Sequence, residues 1–225
     1  MTMNECDIFF KQIYEKDINK HMLFYAYEFP SSEVLKYIDK LIRTPLKEFV
    51  DYIDVNNSHE LIESKDVFQF SNFNDATFKL SQIIVEQGNP GLSYLDIGKL
   101  LLNDGKSRTE GAYVKYGENH AKTSSAIGLS FEMSHITFVS CIGMVINNIS
   151  KLEKEKLLVR LLLRNKLIWR MYSATRIGSV NARLLFNMLS DSTYKRRKSN
   201  LLTILKILKN CSEYDFSSFV ENVNF

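Results

Sequence analysis

Apolar side chains recur along most of this chain at intervals of three and four residues, the spacing that gathers them on one face of an α-helix. The pattern is most regular in the last third. Lys151–Tyr172 places Leu152, Leu157, Leu158, Leu161, Leu162, Leu163, Leu167 and Ile168 on a broad face with Lys154, Arg160, Arg164 and Arg170 elsewhere, and Ser173–Leu189 and Lys195–Lys209 read as two further helices. In the last of these, Leu201, Ile204, Leu205 and Leu208 form the apolar face. The run Lys195-Arg196-Arg197-Lys198 stands at its predicted start, where cations oppose the helix dipole, so local helix stability does not explain it.

Nearer the N-terminus, helices are predicted over Asn4–Asn19, Ser32–Ile42 and Pro45–Tyr52. Ser31 or Ser32 suits a capping position, and Pro45 suits a first turn, where its missing N–H would be unpaired anyway. His21–Phe29 is apolar on both alternating sets and fits a buried strand or more helix, Val55–Ser64 reads as a polar loop, and Val67–Phe73 is strand-like. A helix over Ala76–Gln87 is stopped by Gly88-Asn89-Pro90-Gly91. The next starts at once, with Ser93 capping and Asp96 three residues on, and ends at Asn103-Asp104-Gly105. Lys106–Gly117 is polar and punctuated by glycine, Asn119–Ile127 reads as a short helix closed by Gly128, and Ser130 precedes the apolar run Ile136–Ile149, expected to be a buried helix.

With only 3 Pro and 9 Gly in 225 residues, helices are seldom interrupted. The expected fold is mainly α with minor β content, arranged as an acidic helical region over 1–74, a central module over 75–150 and a basic helical region over 151–225. Ile136–Ile149 is shorter than the ~20 residues a membrane-crossing helix needs. The opening Met-Thr-Met-Asn-Glu-Cys-Asp lacks a basic stretch leading into an apolar core, so a cytoplasmic location is expected. Cys6, Cys141 and Cys211 are far apart and odd in number, which speaks against a disulfide framework and a cysteine-based zinc site.

Charge sharpens the division. Residues 1–150 carry 14 Lys and Arg against 20 Asp and Glu, residues 151–210 carry 15 against 3, and residues 211–225 carry 0 against 3. Such a concentration attracts an anionic partner, of which nucleic acid is the commonest large one. Two plainer readings fit the same numbers: acidic and basic parts facing each other, or long Lys and Arg stems solvating apolar helices.

Three helical patterns with a tight turn between the first two, ending in Ala121-Lys122-Thr123-Ser124-Ser125-Ala126-Ile127-Gly128-Leu129, run from Phe78 to Leu129. This stretch, about 50 of the 225 residues, resembles winged helix-turn-helix DNA-binding modules. The resemblance implies that Lys106–Lys122 faces nucleic acid. Lys106, Arg108, Lys115 and Lys122 would then neutralise phosphates, Tyr113, Tyr116, Ser107 and Thr109 would donate to phosphate oxygens, and Asn119 and His120 would reach base edges. The alternative is that the tyrosines pack on the core and the polar groups merely satisfy a loop. Lys195, Arg196, Arg197 and Lys198, with Arg160, Arg164, Arg170, Arg176 and Arg183, would add a sequence-independent term.

A second pattern is Asp51 or Asp54 followed by Glu63-Ser64-Lys65. It resembles the Asp…Glu-x-Lys arrangement of the restriction-endonuclease-like superfamily, which implies that Asp54 and Glu63 hold Mg²⁺ while Lys65 acts on the phosphate. His21, His59, His120 and His135 show no metal-ligand spacing. Phosphate-binding loops, dinucleotide fingerprints and nucleophile elbows are absent. The expectation is therefore a protein of bacterial or mobile-element type that binds double-stranded DNA without cofactor or resident metal, as part of a restriction, defence or regulatory system. The alternatives are the Mg²⁺-dependent nuclease and a non-catalytic subunit, homodimeric or in a larger complex, whose helices Ile136–Ile149 and Leu157–Ile168 dock a partner.

Overall fold

The computed structural model describes residues 31–56, 62–88 and 91–225. The elements expected at Asn4–Asn19 and His21–Phe29 lie outside the described residues. The rest is mostly helix with five short strands among the described residues, a mainly α protein. It divides into two units: Gln69–Lys154 with the described residues up to Leu41, and Ile42–Phe68 with Glu155–Phe225.

Helix α1 spans Ser31–Arg43 and α2 spans Leu46–Asn56, where the Pro45 carbonyl accepts the first helical bond from Phe49 N at 3.1 Å. No strand forms at 67–73. Gln69 directs both its N–H and its carbonyl to Thr123 Oγ1, at 3.1 and 2.9 Å, so its backbone groups are taken up by a side chain instead of a ladder. A π-turn, Asp75–Lys79, leads into α3 (Leu80–Glu86). Gly91, at φ +77°, turns the chain into β1 (Leu92–Ser93), and Ser93 Oγ caps α4 (Tyr94–Leu101) by accepting from Asp96 N at 3.2 Å.

Helix α5 runs from Glu110 to Ala126, capped by Thr109. The expectation of a polar segment to Gly117 and a short helix after it is corrected here, because Gly111 and Gly117 lie inside one 17-residue helix. Gly117 is a contact rather than a stop. A Cβ there would sit 1.9 Å from the Tyr94 carbonyl oxygen, and one on Gly98 would sit 2.0 Å from that of Tyr113, so α4 and α5 meet backbone to backbone.

After Gly128, at φ +80°, the chain forms a hairpin of β2 (Ser130–Met133) and β3 (Ile136–Val139), and β1 pairs with the other edge of β3. The helix expected over Ile136–Ile149 is corrected to this strand followed by α6 (Cys141–Val145), because Ser140 caps a new helix at Gly143 N, 3.1 Å away. Nor does Ser130 cap a helix: it opens β2. The order helix, strand, helix, helix, strand, strand, with sheet order β1-β3-β2, makes this a winged-helix-like module. Leu80, Ile84, Leu92, Ile97, Leu101, Ala121 and Val139 form its core.

In the second unit, the predicted single helix over Lys151–Tyr172 is divided into α7 (Lys151–Arg164) and α8 (Lys166–Thr175). Asn165 lies at the break, its Oδ1 accepting from Leu167 N and Ile168 N at 3.1 and 3.3 Å. Ser173–Leu189 is likewise not one helix. After α8 come β4 (Val180–Asn181) and the single turn α9 (Ala182–Leu185). Helix α10 covers Asp191–Lys209, α11 covers Ser217–Glu221, and β5 (Val223–Asn224) pairs in parallel with β4.

Arg160 is 0 % exposed. It donates to Glu213 Oε2 at 2.7 Å, Thr44 O at 2.7 Å, Ile42 O at 3.3 Å and Lys156 O at 3.0 Å, tying the end of α1 and the inner face of α7 to the segment before α11. Burial pushes the Glu213 carboxyl up, but Arg160 and Lys156 outweigh it and hold the group below its usual range. The apolar faces proposed to dock a partner are covered within the chain: Leu157, Leu161, Leu162, Leu167 and Ile168 are buried, as are Val139, Ile142 and Ile146.

Stability tests this packing at two places. Gly98→Ala and Gly117→Ala should each cost about 3 kcal/mol or more in urea unfolding, since a Cβ must displace backbone, while Gly111→Ala, where a Cβ meets nothing within 4 Å, should gain up to about 1 kcal/mol. Removing one partner of the buried pair, as in Arg160→Met, should cost about 3–5 kcal/mol because Glu213 and the carbonyls of Ile42, Thr44 and Lys156 lose their donor.

Candidate nucleic-acid interface

The two long faces of α5 have different tasks. The inner face carries Tyr116, His120 and Thr123, and each is bonded to the segment 69–75. Tyr116 Oη donates to Asp75 Oδ2 at 2.8 Å, and its ring stacks on His120 with centroids 3.9 Å apart. His120 is 0 % exposed. Its Nδ1 lies 2.6 Å from the Tyr116 carbonyl and Nε2 faces the N–H groups of Ser71 and Asn72 at 3.4 Å, a pattern that suits the neutral tautomer protonated on Nδ1. Burial lowers its pKa accordingly. Burial and the bond to Asp75 also raise that of Tyr116. The expectation that His120 reads a base and that Tyr116 donates to a phosphate is therefore corrected: both groups hold α5 against the turn before α3.

The outer face presents Ala112, Lys115, Glu118, Asn119 and Lys122. Lys115 Nζ and Lys122 Nζ bind the two oxygens of Glu118 at 2.8 and 2.5 Å, while the Asn119 side chain makes no hydrogen bond among the described residues. Hydrogen bonds from Lys115 and then Lys122 hold the Glu118 carboxyl below its usual range. In the connection from α4 to α5, Arg108 takes both oxygens of Asp104 at 2.6 Å, so its charge is matched locally. Lys106 is exposed beside it, and its carbonyl accepts from Tyr113 Oη at 3.2 Å.

Nothing in the sequence pattern announces the hairpin between β2 and β3. Met133 pairs with Ile136, leaving a two-residue turn of Ser134 and His135 at φ +50° and +65°, the left-handed geometry in which Asn-Gly is preferred. Both are exposed, and the His135 ring meets Tyr94 edge-on at 6.1 Å. The strand alternation of this hairpin is masked by the apolar run continuing into α6.

The basic residues of the second unit divide in the same way. Helix α10 begins at Asp191, capped by Ser190, so the run Lys195–Lys198 sits in its second turn behind an acid rather than at its start. Arg197 is half-buried and donates to Ser64 O and Val67 O at 2.5 and 3.0 Å. Lys198 lies over the Phe225 ring at 5.2 Å, and Arg183 binds Asp191 and the carbonyls of Phe186 and Leu189. Lys195 and Arg196 remain on the exposed face, together with Lys206, which the sequence does not single out because the helix dipole already accounts for cations in a last turn. Lys195, Ser199, Leu202 and Lys206 follow one another at four, three and four residues, a single exposed stripe about 16 Å long at 1.5 Å per residue.

Of the nuclease triplet, the Asp54 and Lys65 side chains lie outside the described residues. Glu63 is exposed, and its N–H is capped by Asp66 Oδ2 at 2.6 Å. No group of three or more His, Cys, Asp or Glu among the described residues is arranged to hold a metal ion, and no described helix is long and apolar enough to cross a membrane. Cys141 is buried, which pushes its thiol up to about 12. No family model, curated protein or solved structure matches the chain.

The buried imidazole makes a pH prediction. An unfolded His120 titrates near 6.5, and the folded one lower, so below that pH the unfolded chain binds the proton more readily and the stability contributed by the neutral ring is lost as pH falls. Glu132, raised by burial, works in the opposite direction, so the comparison is made with a variant. The Tm of the protein should fall more steeply between pH 7 and pH 5 than that of His120→Gln.

Proposed function

We propose that this chain binds duplex DNA, with the outer face of α5 entering the major groove and the exposed face of α10 supplying a sequence-independent attraction. The observation that carries the reading is the division of labour on α5. Tyr116, His120 and Thr123 of its inner face are committed to the core, while its outer face is free of large apolar residues and carries Lys115, Asn119 and Lys122. This is the helix that follows the turn in a helix-strand-helix-helix-hairpin module, the position from which such modules read base edges. Asn119 suits adenine, whose N6 and N7 match an amide, and the two lysines suit phosphates or guanine.

Electrostatics favours the same partner. Gln69–Lys154 is neutral, with eight basic and eight acidic residues, whereas the second unit carries sixteen against eleven, thirteen against five of them in Glu155–Phe225. The affinity is thus assigned chiefly to the second unit and any sequence preference to the first. Neither role requires a cofactor or a metal.

Fluorescence anisotropy on labelled duplex DNA tests this directly. Binding at low ionic strength should weaken linearly in log K against log salt. Replacing Lys195, Arg196 and Lys206 by Ala should reduce that slope by about 0.9 for each phosphate that is no longer neutralised. Absence of any salt-dependent binding at about 50 mM salt or below sinks the proposal.

A further inference from the structure

Glu118 is the anomaly on the outer face of α5: a carboxylate at the centre of a surface assigned to a polyanion. We infer that Glu118 is a specificity-determining residue that selects a cytosine in the major groove and penalises other sequences; the inference rests on the DNA-binding reading above.

Glu118 is three residues after Lys115 and four before Lys122, so all three side chains project on one side of the helix, and each lysine holds a different carboxylate oxygen. In the free protein the two lysines more than neutralise the carboxylate, which stays ionised. Exposed ion pairs of this kind are worth little in water, and the lysines have long flexible stems, so both are readily drawn off to phosphates flanking a groove. Glu118 has no such freedom. With its lysines withdrawn it is a bare acceptor facing base edges.

Only some edges suit it. Cytosine offers its N4 amine as a lone donor. Guanine shows two acceptors, N7 and O6, adenine sets N7 beside its amine, and thymine shows O4 and a methyl group. A carboxylate opposite an acceptor, in a groove lined by phosphates, gives up its lysine partners and gains nothing, which is a penalty against the wrong site rather than a reward for the right one. Glu118 thereby offsets part of the non-specific attraction that Lys115 and Lys122 would otherwise provide. A purely structural role, as an ion-pair partner that strengthens α5, predicts no influence on base preference.

Selection from a randomised duplex library, sequenced for the wild type, Glu118→Ala and Glu118→Gln, separates these roles. The wild type should enrich a C·G pair at one position by about 5- to 150-fold over the alternatives. Glu118→Ala should lose the preference at that position alone and bind random duplex more tightly. Glu118→Gln, which retains size and gains a donor, should move the preference towards adenine, a readout that survives even where the alanine variant loosens the helix. Enrichment unchanged in both variants overturns the role of Glu118 and leaves DNA binding standing. No binding of any duplex by the wild type overturns the DNA-binding reading and the inference with it.

Discussion

Backbone-to-backbone packing of α4 on α5 governs the winged-helix-like module. Gly98 and Gly117 leave no side chain between the two helices, and the carbonyls of Tyr94 and Tyr113 occupy the space that Cβ atoms would fill. That approach sets both the position of α5 and its rotation about its own axis. With Gly117 pinned inward, His120, Ala121 and Ser124 follow it into the core at three-, four- and seven-residue intervals, and Lys115, Glu118, Asn119 and Lys122 are carried outward. A side chain at either glycine would separate the helices and turn the outer face away. Chemistry at the surface is thus governed by two residues that carry none.

Polar groups then fasten what the glycines align. Thr123, His120 and Tyr116 each bond the irregular segment 69–75, so α5 is held at its middle and at its C-terminal half by groups that would be costly to bury unpaired. The neutral, desolvated state of His120 is the electrostatic side of the same fact. A charged imidazole in that position would still donate to the Tyr116 carbonyl but could no longer accept from the backbone N–H groups of Ser71 and Asn72.

Cations of the second unit follow the same rule. Arg160, Arg183 and Arg197 are engaged by carbonyl oxygens and, for the first two, by Glu213 or Asp191, where the guanidinium fork satisfies several acceptors at once. The formal charge of Glu155–Phe225 therefore overstates the positive surface it presents. Lys195, Arg196 and Lys206 remain outward, and the exposed stripe of α10 is accordingly narrower than the composition suggests.

Spacing and capping chemistry were enough to establish the helical class, the capping of α4 by Ser93 with Asp96, the end of α3 before Gly88, the apolar faces of α7 and α10, and the resemblance of 78–129 to a winged helix. All of these depend on residues close in the chain. The remaining features came from packing between distant segments. Gly117 reads as a helix stop until the backbone around Gly98 is in place, and His120 reads as a surface base-reader until Ser71 and Asn72 close over it. Arg160 and Arg197 count as phosphate cations until the carbonyls of 42–44 and 64–67 reach them. In each case the deciding neighbour is remote in sequence, and burial changes what a polar side chain does: in water it is available to a partner, and inside the fold it must already have one.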